Sequence, residues 1–204
     1  MSWTSRASAV LENDHALLTP IAEEHREPLR AVAMDPDIWR YFVALIETPE
    51  DYERYFAEAL ADQAAGRRAV YVITDRATGG VAGSTSFGNI QEAEARIEVG
   101  WSWLGADYRG TYLNRWAKLL MLRHAFEELG AERVEFKTDE LNVQARRGLR
   151  NIGAQEEGIL RSFNYMPGGR RRNAVFYSIL RPEWPTVKEM LEKTPAPYRL
   201  EGTG

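Results

Sequence analysis

Apolar residues recur at helical spacing in five stretches of the chain. In the clearest, Tyr52, Tyr55, Phe56, Ala59 and Leu60 share one face. Thr48 predicts the N-cap of that helix, Pro49 its first turn and Gly66 its end. The stretch from Glu23 to Met34 is also helix-like, with Pro28 near the start of its regular part. The broadest apolar face belongs to a long helix from Tyr112 or Leu113 to Leu129, stopped by Gly130. It includes Leu113, Trp116, Ala117, Leu119, Leu120, Leu122, Ala125, Phe126 and Leu129, a width that calls for deep burial against a sheet. Shorter helices are predicted over Val143–Asn151, closed by Ile152-Gly153, and from Pro185 to Leu191.

Between the helices lie runs of strand character. They are Ala16–Leu18, ended by Thr19-Pro20; Ala69–Thr74; Gly80–Phe87; Arg96–Leu104; Arg133–Thr138; Glu157–Arg161; and Ala174–Leu180. The last two flank a hairpin loop containing Pro167-Gly168-Gly169. The run from Arg96 alternates: Ile97, Val99, Trp101 and Trp103 are predicted on one face, Glu98, Gly100 and Ser102 on the other. Short connections make the three middle runs an antiparallel meander. The element order implies an α/β fold, a mixed sheet with helices on both faces. One domain is expected over residues 1–185, with a C-terminal helix and an irregular tail over 186–204, the tail proper running from Thr194 to Gly204.

The length of 204 residues agrees with one domain. A hydrophobic share of 44% with 27% charged residues is that of a folded protein. Lys and Arg total 26 against 30 Asp and Glu, a net charge of −4, which supplies no basic field for nucleic acid. Cysteine is absent, which excludes disulfides, thiolate nucleophiles and cysteine-held metals. No apolar run has the length of a membrane span and no signal-peptide core follows the N-terminus, so a soluble, cytoplasmic protein without membrane partners is expected. His15, His25 and His124 lie far apart, so no metal site is expected, and His124 reads as an ordinary partly buried residue. Phosphate-loop, dinucleotide, metalloprotease and nucleophile-elbow motifs are missing.

The junction Leu104-Gly105-Ala106-Asp107-Tyr108-Arg109-Gly110-Thr111-Tyr112-Leu113-Asn114 carries the candidate chemistry. Here a strand ends, a turn with Gly and Arg follows, and a helix begins. The first amides of a helix lack internal partners and bear the positive end of its dipole. Gly110 allows close approach to the backbone and Arg109 adds charge, so the loop suits a phosphate or pyrophosphate. A plain strand–helix turn explains the same residues.

In their order and spacing, several segments together resemble the GNAT superfamily of acyltransferases, and within it the RimJ/RimL branch of ribosomal-protein alanine N-acetyltransferases. They are Ile97–Leu104, Tyr108–Asn114, His124–Gly130, Val134–Asp139, Asn142, Asn151–Ala154 and Tyr177–Leu180, and the likeness spans His15 to Trp184. The resemblance implies a splayed, mostly antiparallel sheet of about seven strands and acetyl-CoA as cofactor. It implies a pyrophosphate on the amides of Arg109, Gly110, Thr111, Tyr112 and Leu113. The pantetheine arm would lie at Trp103 and Leu104 and near Asn142, with Glu98 as general base. Arg147, with Arg146 and Arg150, is placed for phosphate by the same analogy or forms a solvated face. Asp107 and Tyr112 stand where the family pattern has Gln or Arg and a small residue, which predicts a reshaped loop, and Ala145 replaces a serine that relatives often carry.

The implied reaction is direct attack of an amine on the thioester in a ternary complex, with a peptide N-terminus or a small molecule as acceptor. The amide of Val99 or Gly100 would polarise the carbonyl. An inactive CoA-binding or protein-interaction module of the same fold is the alternative. For Glu98 the alternative is a strand glutamate that is exposed or paired with Lys or Arg. For Trp101 and Trp103 it is a place in the core, and for Arg170, Arg171 and Arg172 a solvated loop tip. A homodimer is expected from the prevalence of symmetric oligomers.

Overall fold

The computed structural model describes residues 2–193. Among these, eight strands form one sheet in the order β1-β2-β3-β4-β5-β6-β8-β7. The strands are β1 (Leu11–Glu12), β2 (Ala16–Pro20), β3 (Ala69–Asp75), β4 (Val81–Gln91), β5 (Arg96–Leu104), β6 (Arg133–Asp139), β7 (Gln155–Tyr165) and β8 (Arg171–Leu180). Neighbours are antiparallel except β5 and β6, which are parallel. The helices are α1 (Trp3–Arg6), α2 (Arg26–Ala33), α3 (Pro49–Ala64), α4 (Leu113–Arg123), α5 (Val143–Asn151) and α6 (Trp184–Lys193). The mixed sheet and its meander are as the sequence predicts. The patterning missed α1 and the two-residue β1, because each is too short to show a period. Trp3 of α1 is nevertheless buried, and its amide donates to Glu92 Oε2 at 3.1 Å. The expected tail from Thr194 lies outside the described residues.

Local chemistry explains the helix bounds. Thr48 Oγ1 accepts from the Asp51 amide and the Asp51 carboxylate accepts from the Thr48 amide, a reciprocal cap that starts α3. Glu23–His25 form a 3₁₀ turn before α2, so Pro28 sits inside the first turn, where its missing N–H costs nothing. Past Arg123, α4 continues as a π-helical segment, His124–Leu129, and Gly130 at φ +84° ends it.

Two apolar clusters pack on opposite faces of the sheet. One joins Ile97 and Val99 to Leu113, Leu120 and Phe126, and takes in Trp184, Val187 and Leu191 of α6. The other joins Val70, Val72 and Trp103 to Leu29 of α2 and to Tyr52, Tyr55 and Phe56 of α3. Among the described residues, no helix is long and apolar enough to cross a membrane.

Strand β5 departs from its predicted alternation. Gly100 pairs with Ser86 but Trp103 pairs with Ser84, so β5 carries one residue more than β4 across this interval. That extra residue makes a β-bulge, and Trp101 within it has φ +49°. A bulge shifts the period of two by one. Ile97 and Val99 therefore face the first cluster, whereas Trp103 faces the second and Leu104 returns to the first. Trp101 and Trp103 do not share the face of Ile97.

Candidate active site

Glu98 lies on β5 just before the bulge and is 4% exposed. Its Oε2 accepts from Lys137 Nζ at 2.9 Å and from Asn89 Nδ2. Oε1 accepts from no group among the described residues. Gly100 adjoins it, and a β-carbon there would stand 3.0 Å from Oε1. A side chain at position 100 would thus crowd the one uncommitted carboxylate oxygen. The Trp101 ring is close by, 5.7 Å from Lys137 Nζ and 5.0 Å from the Arg68 guanidinium carbon. A bulky residue at positive φ is costly, on the order of 1–3 kcal/mol, and such strain concentrates at functional sites.

Beneath the bulge, on the other face, Lys118 of α4 is buried without a carboxylate partner. Its ammonium donates to Ser102 Oγ at 2.6 Å and reaches Thr85 Oγ1 at 3.5 Å. Ser102 Oγ lies 2.7 Å from Thr85 Oγ1 and 3.2 Å from the Gly100 carbonyl oxygen. Burial pushes the Lys118 amine down from its ordinary 10.5 to about 7.

The parallel β5–β6 pairing lasts three residues, from Arg96 and Arg133 to Glu98 and Glu135. Beyond that, β5 stays with β4 out to Leu104 and β6 stays with β8 out to Asp139, so the two strands part. At the far end of β5 the Gly105 amide donates to the Ala82 carbonyl at 2.9 Å. The strand period then directs the backbone groups of Leu104 to the parted side and those of Trp103 toward β4. The Trp103 indole is core, its Nε1 donating to Tyr55 Oη at 2.8 Å.

In the loop after β5, the Arg109 amide donates to the Ala106 carbonyl and the Leu113 amide to Thr111 Oγ1, both at 3.3 Å. The amides of Gly110, Thr111 and Tyr112 donate to nothing among the described residues. Gly110 has φ +75°, and a β-carbon there would meet nothing within 4 Å. The loop is therefore an open cradle of three amides before α4. Tyr112 does not fill it: its hydroxyl donates to Asp75 Oδ1 at 2.7 Å and its ring meets His15 edge-on. The hydrogen bond to Asp75 raises the Tyr112 hydroxyl pKa.

Other expected site residues are engaged locally. The Arg109 guanidinium pairs with Asp35. Asn142 caps α5, its Oδ1 accepting from the Ala145 amide at 3.0 Å. Arg146 and Arg150 pair with Glu156, whereas Arg147 is exposed and has no ion pair among the described residues. Arg170 pairs with Asp139, Arg171 bonds Ser162, and Arg172 is 5% exposed with Nε donating to Asn164 Oδ1. His124 is buried, its Nε2 2.9 Å from the Arg6 carbonyl oxygen, and burial lowers its pKa.

Asn89, Lys137, Arg68 and Lys118 escaped the sequence reading. Asn89 left a trace: a Gly-Asn pair inside a strand run is a local misfit, and Asn tolerates the φ of +45° found there. Lys137 follows Glu135 by two on β6, so it shares the face that the parallel pairing gives Glu98.

Residues 15–155 match the family model for the acetyltransferase (GNAT) domain. A Bacillus subtilis (strain 168) relative, "Putative ribosomal N-acetyltransferase YdaF", is 30% identical over 106 residues, 52% of this chain and 57% of the relative. That alignment thus spans little more than half of the relative's length. The crystal structure of a GCN5-related N-acetyltransferase from Brucella melitensis superposes with a TM-score of 0.84 at 24% identity, covering 91% of this chain and 84% of that one. Mycobacterium smegmatis RimJ in complex with CoA-disulfide superposes with a TM-score of 0.77 at 18% identity, covering 92% and 95%. These two likenesses concern the fold. With the family model matched over most of the chain, on a sheet that parts beside a cradle of free amides, the chain belongs to the GNAT acetyltransferases, a family that uses acetyl-CoA.

Proposed function

We propose that this protein transfers an acetyl group from acetyl-CoA to a primary amine, a protein N-terminus or a small molecule, by direct attack in a ternary complex. When bound, acetyl-CoA supplies an activated acyl group. The unclaimed amides of Gly110, Thr111 and Tyr112 and the open space before Gly110 fit the phosphates of that molecule, and by analogy with the family the exposed Arg147 would add charge to them. Arg109 and Leu113 flank the cradle. Leu104 and Asn142 would bind the pantetheine arm, Leu104 through backbone groups on the parted edge. Trp103 supports that edge from the core.

The observation that carries the reading is the state of Glu98. Lys137 and Asn89 fix one oxygen, and Oε1 is left to take a proton from the acceptor amine directly or through a water. The amide of Val99 or Gly100, next to the bulge, would polarise the acyl oxygen.

The test is release of free thiol from acetyl-CoA against a panel of amines. Glu98→Gln should lower kcat by roughly 10²–10⁴-fold for amines of high pKa, and less for α-amines, which shed their proton more readily. Unchanged turnover in the Gln variant at every pH would remove Glu98 from this role. The Glu98–Lys137 pair also favours a second reading, an inactive module in which it ties β5 to β6. On that reading acetyl-CoA raises the Tm and no amine releases thiol.

A further inference from the structure

A cavity of about 350 Å³ opens on the Glu98 face of the sheet. Phe42, Tyr55, Arg68, Asn89 and Trp101 line it. Asn89 is the residue that holds Glu98 Oε2, so one side chain separates the cavity from the carboxylate. Its volume falls at the lower end of the range for small-ligand sites.

Two arginines in this wall are only half used, Arg67, which is exposed, and Arg68, which is largely covered. The Arg68 side chain is 12% exposed, its Nε donates to Asp62 Oδ2 at 2.6 Å, and its guanidinium carbon lies 5.0 Å from the Trp101 ring centre. The two terminal nitrogens donate to nothing among the described residues. Four N–H donors on a nearly buried cation therefore remain unspent. These nitrogens reach solvent, so water meets them until a ligand takes its place.

The surrounding charges sharpen the picture. Asp62 is shared by the Nε groups of Arg67 and Arg68, both at 2.6 Å, and Glu98 is matched by Lys137. Arg172 is nearly buried with only its Nε bonded, and it feels the charges of Glu98 and Asp139. The one lining carboxylate without an ion pair among the described residues is Glu58, which is exposed. Of the uncommitted donors lining the cavity, the charged ones are thus those of Arg67 and Arg68, although the whole chain carries −4. A planar fork held against an aromatic ring suits bidentate binding of a carboxylate.

We propose that the acceptor is an amine that also carries a carboxylate, which the Arg68 fork binds beside Trp101 while the amino group reaches Glu98. This rests on the Glu98 side of the parted strands being the acceptor side. A free amino acid and a peptide N-terminus followed by an acidic residue share this chemistry.

The experiment titrates the CoA-loaded full chain calorimetrically with matched pairs: glutamate against its bis-amide, and an Ala-Asp tetrapeptide amide against its Ala-Asn counterpart. Spermidine is the cationic control. The carboxylate member of at least one pair should bind about tenfold tighter or more; a margin in the first pair alone names a small molecule, in the second a peptide. Arg68→Gln should erase the margin and Arg68→Lys should keep part of it. The wild-type comparison needs no variant, so a misfolded Gln protein leaves the test intact. A wild-type margin under threefold in both pairs, a margin that survives Arg68→Gln, or tightest binding by spermidine would overturn the proposal, the last assigning the cavity to Glu58. Thiol release on the same pairs separates the two readings. A margin in binding without turnover sinks the acetyl-transfer mechanism alone, and turnover without a margin sinks the carboxylate alone.

Discussion

Replacing Lys118 by methionine should flatten the pH dependence of stability between pH 7.5 and 9.5. The wild-type amine is buried against Ser102 and Thr85 with no acidic partner, and its pKa is lowered from 10.5 to about 7. In the unfolded chain the amine stays protonated up to about 10.4. Across the window between these values the unfolded state holds a proton that the folded state has lost, so stability rises with pH. A depressed pKa of this kind gives stability that is complete above the unfolded value and lost as pH falls through the folded one. Integrated from pH 7.5 to 9.5, this one group contributes about 2.5 kcal/mol. Other buried groups are common to both proteins. His124 is lowered and titrates below the window, and the hydroxyls of Tyr52, Tyr55 and Tyr71, raised by burial, oppose the trend by only about half a kcal/mol near its upper end, where unfolded tyrosines begin to ionise.

Methionine fills similar volume and carries no charge to desolvate. Ser102 Oγ keeps Thr85 and the Gly100 carbonyl as partners, so the lost hydrogen bond costs about 1 kcal/mol. The variant should therefore be the more stable protein at pH 7.5 and lose that advantage by pH 9.5. Urea unfolding followed by tryptophan fluorescence at the two pH values measures both slopes. Parallel slopes for the two proteins would show that Lys118 keeps its proton in the fold and would refute the reasoning.

Three further outcomes follow from the site. Gly110→Ala places a β-carbon at φ +75°, which should cost about 1–2 kcal/mol in a urea melt and raise the KM for acetyl-CoA, since the open space at the cradle is then filled. Lys137→Met leaves Glu98 buried with Asn89 as its one donor, and should destabilise the protein by about 3–5 kcal/mol at neutral pH; a loss below about 1 kcal/mol would mean that the carboxylate gains water on losing its partner. Tyr112→Phe removes the hydrogen bond to Asp75, which retains Thr78 and the Ala77 amide. It should cost about 1 kcal/mol and leave the KM for acetyl-CoA unchanged; a KM shift of tenfold would place the hydroxyl in the cofactor's path.

Much of the fold was legible because long elements repeat their period many times. The reciprocal cap at Thr48 and the glycine stop at Gly130 are local chemistry, and both stand where the sequence puts them. Lys118 was hidden for a related reason. It sits in the run Trp116–Leu122 at the spacing of the buried Met121, Leu122 and Ala125, but a charged residue there reads as the polar side of the helix. What overrides that reading is tertiary: two hydroxyls from different strands meet the amine and burial lowers its pKa.

The bulge in β5 marks where sequence reading stops. Alternation over Ile97–Trp103 is a sound inference for an unbroken strand, and it would put Trp101 and Trp103 beside Ile97 in the first core. One inserted residue opposite Thr85 reverses that assignment for everything after Gly100. The reversal brings the Trp101 ring to the side that bears Glu98, near Arg68 and Lys137, and turns Ser102 toward Lys118. No local signal announces it, since tryptophan is a good strand former and a poor candidate for positive φ. The cost is met by contacts that distant strands and helices supply: Arg68 and Lys137 beside the ring above, Lys118 and Thr85 below. A site whose geometry depends on a strained residue clamped from both faces of a sheet is specified by pairings across the fold, so its residues were found one by one in the sequence while the arrangement that joins them was not.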